Sequence, residues 1–173
     1  MFLYGERNEA LVSEPGWEGR VRSVVAAITD GSTASPGQLC GLSDDVISLI
    51  ESDQAARLAE AYRLFLQLIG SSAGFFLRGS AVYYPEILGL KQAACDLLSE
   101  NESPFALEDS DRVFLMHQGY SFDFLRGSGP DPEVWSYSEG GSANNVAERT
   151  FGRFTDWLRA QAEREIQIGR AHV

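Results

Sequence analysis

The chain has 173 residues, 44% of them apolar and 23% charged, with 14 lysines and arginines against 25 aspartates and glutamates. One domain of ~100–200 residues is the expectation at this length, and such a chain buries about 70% of its unfolded surface without help from a disulfide or metal. The apolar share excludes a disordered tail, and runs such as Val24 to Ile28 fall far short of the ~20 residues a membrane-spanning helix needs.

A net charge of −11 opposes phosphate backbones and anionic membrane surfaces, so neither nucleic acid nor membrane is an expected partner. The same charge favours solubility and fast encounter with a basic protein. The start, Met1 to Glu18, lacks a basic stretch followed by an apolar core, so no secretory signal is expected. Cys40 and Cys95 stand far apart and form no CxxC pair. They read as small buried apolar groups in a reducing compartment, which places the protein in the cytoplasm.

Residues 1–18 form a segment without clear pattern, marked by the turn signal Pro15-Gly16, and a single domain is expected over 19–166. Val21, Val24, Val25 and Ile28 recur at helical spacing and predict one buried face. Thr29 to Gly41 reads as a loop. Ser43 is suited to cap a second helix, with Asp44 and Asp45 at its positive end and Val46, Ile47, Leu49 and Ile50 on its apolar side. Leu58, Tyr62, Phe65, Leu66 and Ile69 line a third helix that Gly70 ends.

Phe75-Phe76-Leu77 then reads as a short strand, and Pro85 as the first residue of a helix over 86–99. Its inward residues are Ile87, Leu90, Ala94, Leu97 and Leu98. Beyond Asn101 three short aromatic-rich segments, Val113–Met116, Tyr120–Leu125 and Glu133–Tyr137, read as an antiparallel meander. Tyr120, Phe122 and Phe124 alternate with Ser121 and Asp123, giving a buried and an open face. After a loop at 140–145, Thr150 is suited to cap a last helix burying Phe151, Phe154, Trp157 and Leu158. Helices first, strands second and a closing helix predict an α+β fold, with a mainly antiparallel central sheet packed by N-terminal helices and a C-terminal one.

The end of the chain reads differently. Ile168-Gly169-Arg170-Ala171-His172-Val173 is what ATC GGA AGA GCA CAC GTC encodes, a string resembling a sequencing adapter, and Gln167 fits it if coded CAG. Residues 167–173 are therefore expected to be a non-native tail, and His172 is excluded from any site.

Catalytic signals are sparse. Arg126-Gly127-Ser128-Gly129-Pro130 lacks the Gly-Lys-Ser/Thr of a phosphate loop and reads as a hairpin connection. His117 alone remains as a general base, and no nucleophile elbow accompanies it. One histidine and two distant thiols do not make a zinc site, and Asp44, Asp45, Glu51 and Asp53 lack the glycine of a calcium loop. Asp123 and Glu139 offer a paired acid and base across the meander, but read better as two surface acids. The expectation is a non-enzyme without metal or cofactor. Aromatic density beside acid is the more suggestive feature. Tyr83, Tyr84, Glu86, His117, Tyr120, Asp123, Trp135, Tyr137 and Glu139 are the candidate partner-binding residues, since exposed Tyr and Trp anchor interfaces.

Gly41-Leu42-Ser43, Asp44-Asp45-Val46 and Leu49-Ile50-Glu51 resemble the opening of the SUKH superfamily, which includes the yeast Smi/Knr cell-wall regulator. That opening precedes a Leu-Pro-x-x-Tyr-x-x-Phe-Leu stretch and a glycine turn; here it reads Leu58-Ala59-Glu60-Ala61-Tyr62-Arg63-Leu64-Phe65-Leu66, then Ile69-Gly70 with Gly74 behind. Ala59 stands where the family has proline. The likeness continues through Val113-Phe114, Gln118-Gly119-Tyr120-Ser121-Phe122, Val134-Trp135 and Phe151-x-x-Phe154, covering residues 19–165. The resemblance implies an α+β fold and, for bacterial members, an immunity protein that neutralises a cognate polymorphic toxin, often a nuclease, by stoichiometric binding. It supplies no catalytic residues. The alternative it implies is a regulatory or scaffold module with an endogenous protein partner.

Overall fold

Val21, Val24 and Ile28 are buried along one side of α1 (Trp17–Asp30) in the computed structural model, which describes residues 16–30 and 33–171. The segment 1–15, the two residues 31–32 of the expected loop and the last two residues lie outside the described ones. A single 3-10 turn (Pro36–Gln38) leads into β1 (Leu39–Cys40). The Ser43 hydroxyl then accepts from Val46 N at 3.4 Å and caps α2 (Asp44–Gln54). Gly41 permits the approach to α3 (Glu60–Ile69): a Cβ there would sit 1.7 Å from Gln67 O, while the next residue, Leu42, donates its N–H to Leu66 O at 2.9 Å.

α2 buries Ile47 and Ile50 and follows them with Gln54, so Leu49 points away and is 55% exposed, contrary to its expected place in the core. Gln54 does what a neighbouring strand would. Its amide donates to Val113 O at 2.7 Å and accepts from Val113 N at 3.0 Å. Tyr62, Phe65, Leu66 and Ile69 of α3 are all buried.

Phe75-Phe76-Leu77 is not a strand. It lies in a run of turns between β2 (Ser72–Ala73) and β3 (Ser80–Ala81), where Gly74, Leu77 and Gly79 all take positive φ and break extension. Pro85 does not open a helix either. Turn bonds Ile87 N to Tyr83 O and Leu88 N to Pro85 O precede a left-handed Gly89 (φ 82°), and α4 runs Leu90–Glu100. The inward residues are those expected: Ile87, Leu90, Ala94, Leu97 and Leu98 are buried.

The meander forms as β4 (Arg112–His117), β5 (Ser121–Arg126) and β6 (Glu133–Ser138), joined by β7 (Glu148–Phe151). The main sheet is antiparallel in the order β3-β4-β5-β6-β7, and β1 pairs β2 separately. Thr150 belongs to β7 rather than to a helix cap; its β-branched side chain suits the strand, and its hydroxyl donates to Val134 O. The cap of α5 (Phe154–Ala171) comes from afar: Asp131, in the β5–β6 turn, accepts from Thr155 N at 3.0 Å and Thr155 Oγ1 at 2.6 Å.

Two layers cover the sheet. On one face Phe114, Phe154, Trp157, Tyr62 and Phe65 form an aromatic cluster between β4, α3 and α5, edge-to-face except for the stacked Tyr62–Phe65 and Phe154–Trp157 pairs and the tilted Tyr62–Phe114 pair. On the other face Phe122, Phe124, Trp135 and Tyr137 meet the segment after α4 through Phe105. This is the expected α+β arrangement, with the closing helix in place. Residues 167–171 continue α5 as an exposed helical end. Among the described residues no helix is long and apolar enough to cross a membrane.

Candidate functional site

The candidate residues divide among three places. At one end of the sheet, Ser80 and His117 face each other as register partners of β3 and β4, and Ser80 Oγ lies 2.9 Å from His117 Nδ1. Tyr120 meets the His117 ring edge-on at 5.6 Å, and its carbonyl accepts from Glu139 N at 2.9 Å. The structure thus brings His117, Tyr120 and Glu139 together, with Tyr120 40% exposed and Glu139 exposed as well. A serine beside a histidine invites a catalytic reading. Here the pair falls on facing positions of adjacent strands, where a hydroxyl–imidazole bond is ordinary cross-strand pairing.

Asp123, Trp135 and Tyr137 are elsewhere and occupied. Tyr137 is 1% exposed, with its hydroxyl donating to Asn145 Oδ1 at 2.6 Å, so it is a core residue rather than a partner contact. Asp123 is not a surface acid, because strand alternation aims it under α5. It accepts from Ser136 Oγ at 2.6 Å and Trp157 Nε1 at 3.0 Å. Burial pushes its carboxyl above the ordinary value, and those two donors oppose the rise. Half-buried Trp135 donates to Glu133 Oε2 and lies under the Arg126 guanidinium, 4.9 Å from its ring centre. Asp123 and Glu139 do not meet. Cys40 and Cys95, expected in the core, are both exposed free thiols.

Tyr83, Tyr84 and Glu86 lie in the turns before α4. Tyr83 and Tyr84 are half-buried, and the Tyr83 hydroxyl donates to Phe76 O. Burial and the neighbouring Glu165 carboxylate push the Tyr83 phenol well above its ordinary value, so it remains an O–H donor. Glu86 is exposed, as is Leu88 two residues on, at 38%. Asp53 of α2 accepts from Gly89 N at 3.0 Å, which ties this turn to the helix carrying Leu49. Asp45, Leu49 and Asp53 are spaced four apart and share one helix face. Leu49 and Leu88 are thus exposed on two elements joined by the Asp53–Gly89 bond, and the same two elements expose Asp45, Asp53 and Glu86. Sequence reading found Glu86 here and missed the rest, since Leu49 fits a helix-core pattern and nothing in the chain announces the Asp53 bond.

A cavity of about 600 Å³ opens nearby, between the end of α2, the start of α3 and the β5–β6 connection. Ala55, Ala56, Leu58 and Gly127-Ser128-Gly129 contribute to its walls, together with Arg57, Arg112 and Arg126 and the acids Glu60, Glu108 and Asp109. Arg126 is ion-paired with Asp111, at 2.8 and 3.0 Å. Arg112 is only 5% exposed, yet its guanidinium bonds just two backbone carbonyls, Ser110 O at 2.8 Å and Gly127 O at 3.0 Å. Its Nε has no partner. Sequence reading took 126–130 as a hairpin connection, which it is, and had no signal for the buried arginine behind it.

Among the described residues no three histidine, cysteine or carboxylate side chains gather as a metal site. No protein-family model matches the chain, and no curated protein matches it.

Proposed function

We propose that the protein is a SUKH-type interaction domain acting as an immunity protein, which neutralises a cognate toxin domain by stoichiometric binding in the bacterial cytoplasm. The observation that carries this reading is the exposure of Leu49 and Leu88 on two elements joined by the Asp53–Gly89 bond, which also expose Asp45, Asp53 and Glu86. Apolar centres within a charged rim are how protein interfaces are built, and an acidic rim suits a basic partner such as a nuclease. The net charge of −11 extends the same attraction over longer range. Tyr120 and Glu139 at the sheet end supply a second exposed contact.

The test is to purify the toxin domain encoded beside this gene and measure its complex with the full chain. The expected result is a 1:1 complex that abolishes toxin activity and associates faster at low salt. Replacing Leu49 and Leu88 together by lysine is expected to weaken binding at least ~100-fold, since buried apolar anchors dominate interface energy. A complex of undiminished affinity in that variant would discard this surface. Absence of any inhibited toxin would discard immunity and leave an endogenous partner.

A further inference from the structure

We infer that the face built by residues 33–43 and 70–82 pairs with the same face of a second copy of this chain, forming a two-fold dimer. The inference does not rest on the immunity reading, and either can fail alone.

The two stretches are one body. β1 and β2 pair Leu39 with Ala73 and Cys40 with Ser72. Ser71 N donates to Cys40 O at 2.9 Å, Phe75 N to Thr33 O at 3.1 Å and Ser72 Oγ to Gln38 O at 3.1 Å. Gly74 lets them close, because a Cβ there would lie 2.8 Å from both Ala34 Cβ and Gln38 Oε1. From behind, Phe76 is wholly buried and Leu77 N is held by Glu165 Oε1 at 2.8 Å. This fixed platform presents Phe75, at 59% the most exposed large apolar residue among the described ones, with the Arg78 guanidinium 4.9 Å from its ring centre.

In a chain that is 23% charged, Arg78 is the single charged side chain of both stretches. It pairs with no carboxylate among the described residues. Interface centres are depleted of Lys, Asp and Glu and enriched in aromatic residues and Arg, which is the composition of this face.

That composition also selects the occupant. A basic partner finds no carboxylate on these two stretches, and one arginine is too little for nucleic acid or an anionic membrane. A two-fold contact needs a patch that complements itself. Carboxylates do not, since they only accept and repel their own kind, so a net charge of −11 opposes self-association elsewhere on the surface. Hydroxyls and amides both donate and accept, so exposed Ser35, Ser72 and Gln38 can each meet their own counterparts. The Arg78 guanidinium can lie on the Phe75 ring of the second copy as it lies on its own.

The experiment is sedimentation equilibrium of the full chain over a concentration series, at ~0.05 and ~0.5 M sodium chloride. The expected result is a reversible monomer–dimer equilibrium that persists or tightens at the higher salt, because screening removes repulsion between the net charges while the contact itself holds no ion pair. Phe75→Asp sets like charges across the two-fold and is expected to weaken the dimer at least ~10-fold. Arg78→Glu, at a second exposed position, gives the same reading should Phe75→Asp fail to fold. Ser128→Asp adds the same charge near Pro130, whose carbonyl accepts from Ala61 N at the opposite end of α3 from Gly70, and is expected to leave the dimer unchanged. A monomer at every concentration, a dimer that salt dissociates, or one weakened as much by Ser128→Asp as by Phe75→Asp would each overturn the assignment.

Discussion

Asp131 and Arg112 are both nearly buried charges at the edges of one sheet, and the protein treats them in opposite ways. Asp131 collects Thr155 N, Thr155 Oγ1 and Arg20 Nη2 at 3.0, 2.6 and 2.9 Å, joining the β5–β6 turn to α1 and α5. Arg112 meets only two backbone carbonyls, and its buried Nε has no partner. A buried charge with a complete set of partners holds structure together. One with an incomplete set is held in place by the fold around it.

The complete region should be the intolerant one. Phe154 is fully buried and touches Tyr62, Phe65, Phe114 and Trp157, so Phe154→Ala removes the centre of the aromatic cluster. The expected loss is about 3–5 kcal/mol by equilibrium urea unfolding, and a loss under ~1 kcal/mol would mean that the cluster is loosely packed. Asp131→Ala follows at about 3 kcal/mol, as it strips the cap from α5 and the acceptor from Arg20 in one step. A cost no larger than that of an ordinary surface change, ~0.5 kcal/mol, would show the junction to be redundant.

The contrast also separates what was legible in the sequence from what was not. Helix faces were legible because Val21, Val24 and Ile28, or Tyr62, Phe65 and Ile69, repeat at the helical period and all end up buried. The strands β4 to β6 were legible from their aromatic alternation. β7 was not: Glu148-Arg149-Thr150-Phe151 has no apolar alternation and is a strand only because β6 pairs with it. Thr150 was misread for the same reason, since the true cap, Asp131, lies 24 residues before Thr155. Gln54 looked like a helix-end polar residue, and its role appears only when Val113 arrives 59 residues later. At the candidate surface, Glu86 was legible as an exposed acid, whereas Leu49 was hidden among apolar neighbours. Buried polar groups such as Asp123 and Gln54 are satisfied by distant side chains and backbone, and no local spacing encodes that.

Glu165 stands between the two extremes and gives the smallest effect, one of slope rather than size. On α5 it accepts from Leu77 N at 2.8 Å with Oε1, while Oε2 has no partner. Burial raises its carboxyl above the ordinary value, the Leu77 N–H opposing that rise in part. The folded state therefore binds this proton more tightly than the unfolded chain does. Its contribution to stability is full below the unfolded pKa of about 4.3 and is lost as pH rises through the folded value. Glu165→Gln keeps a carbonyl oxygen for Leu77 N and removes the titration. Wild-type stability minus that of Glu165→Gln should fall as pH is raised from about 4 towards neutrality, measured by urea unfolding of both proteins at each pH. A difference that is flat, or that grows with pH, would mean the Leu77 N–H outweighs burial. Glu165 would then belong with Asp131 as a completed anchor rather than with Arg112.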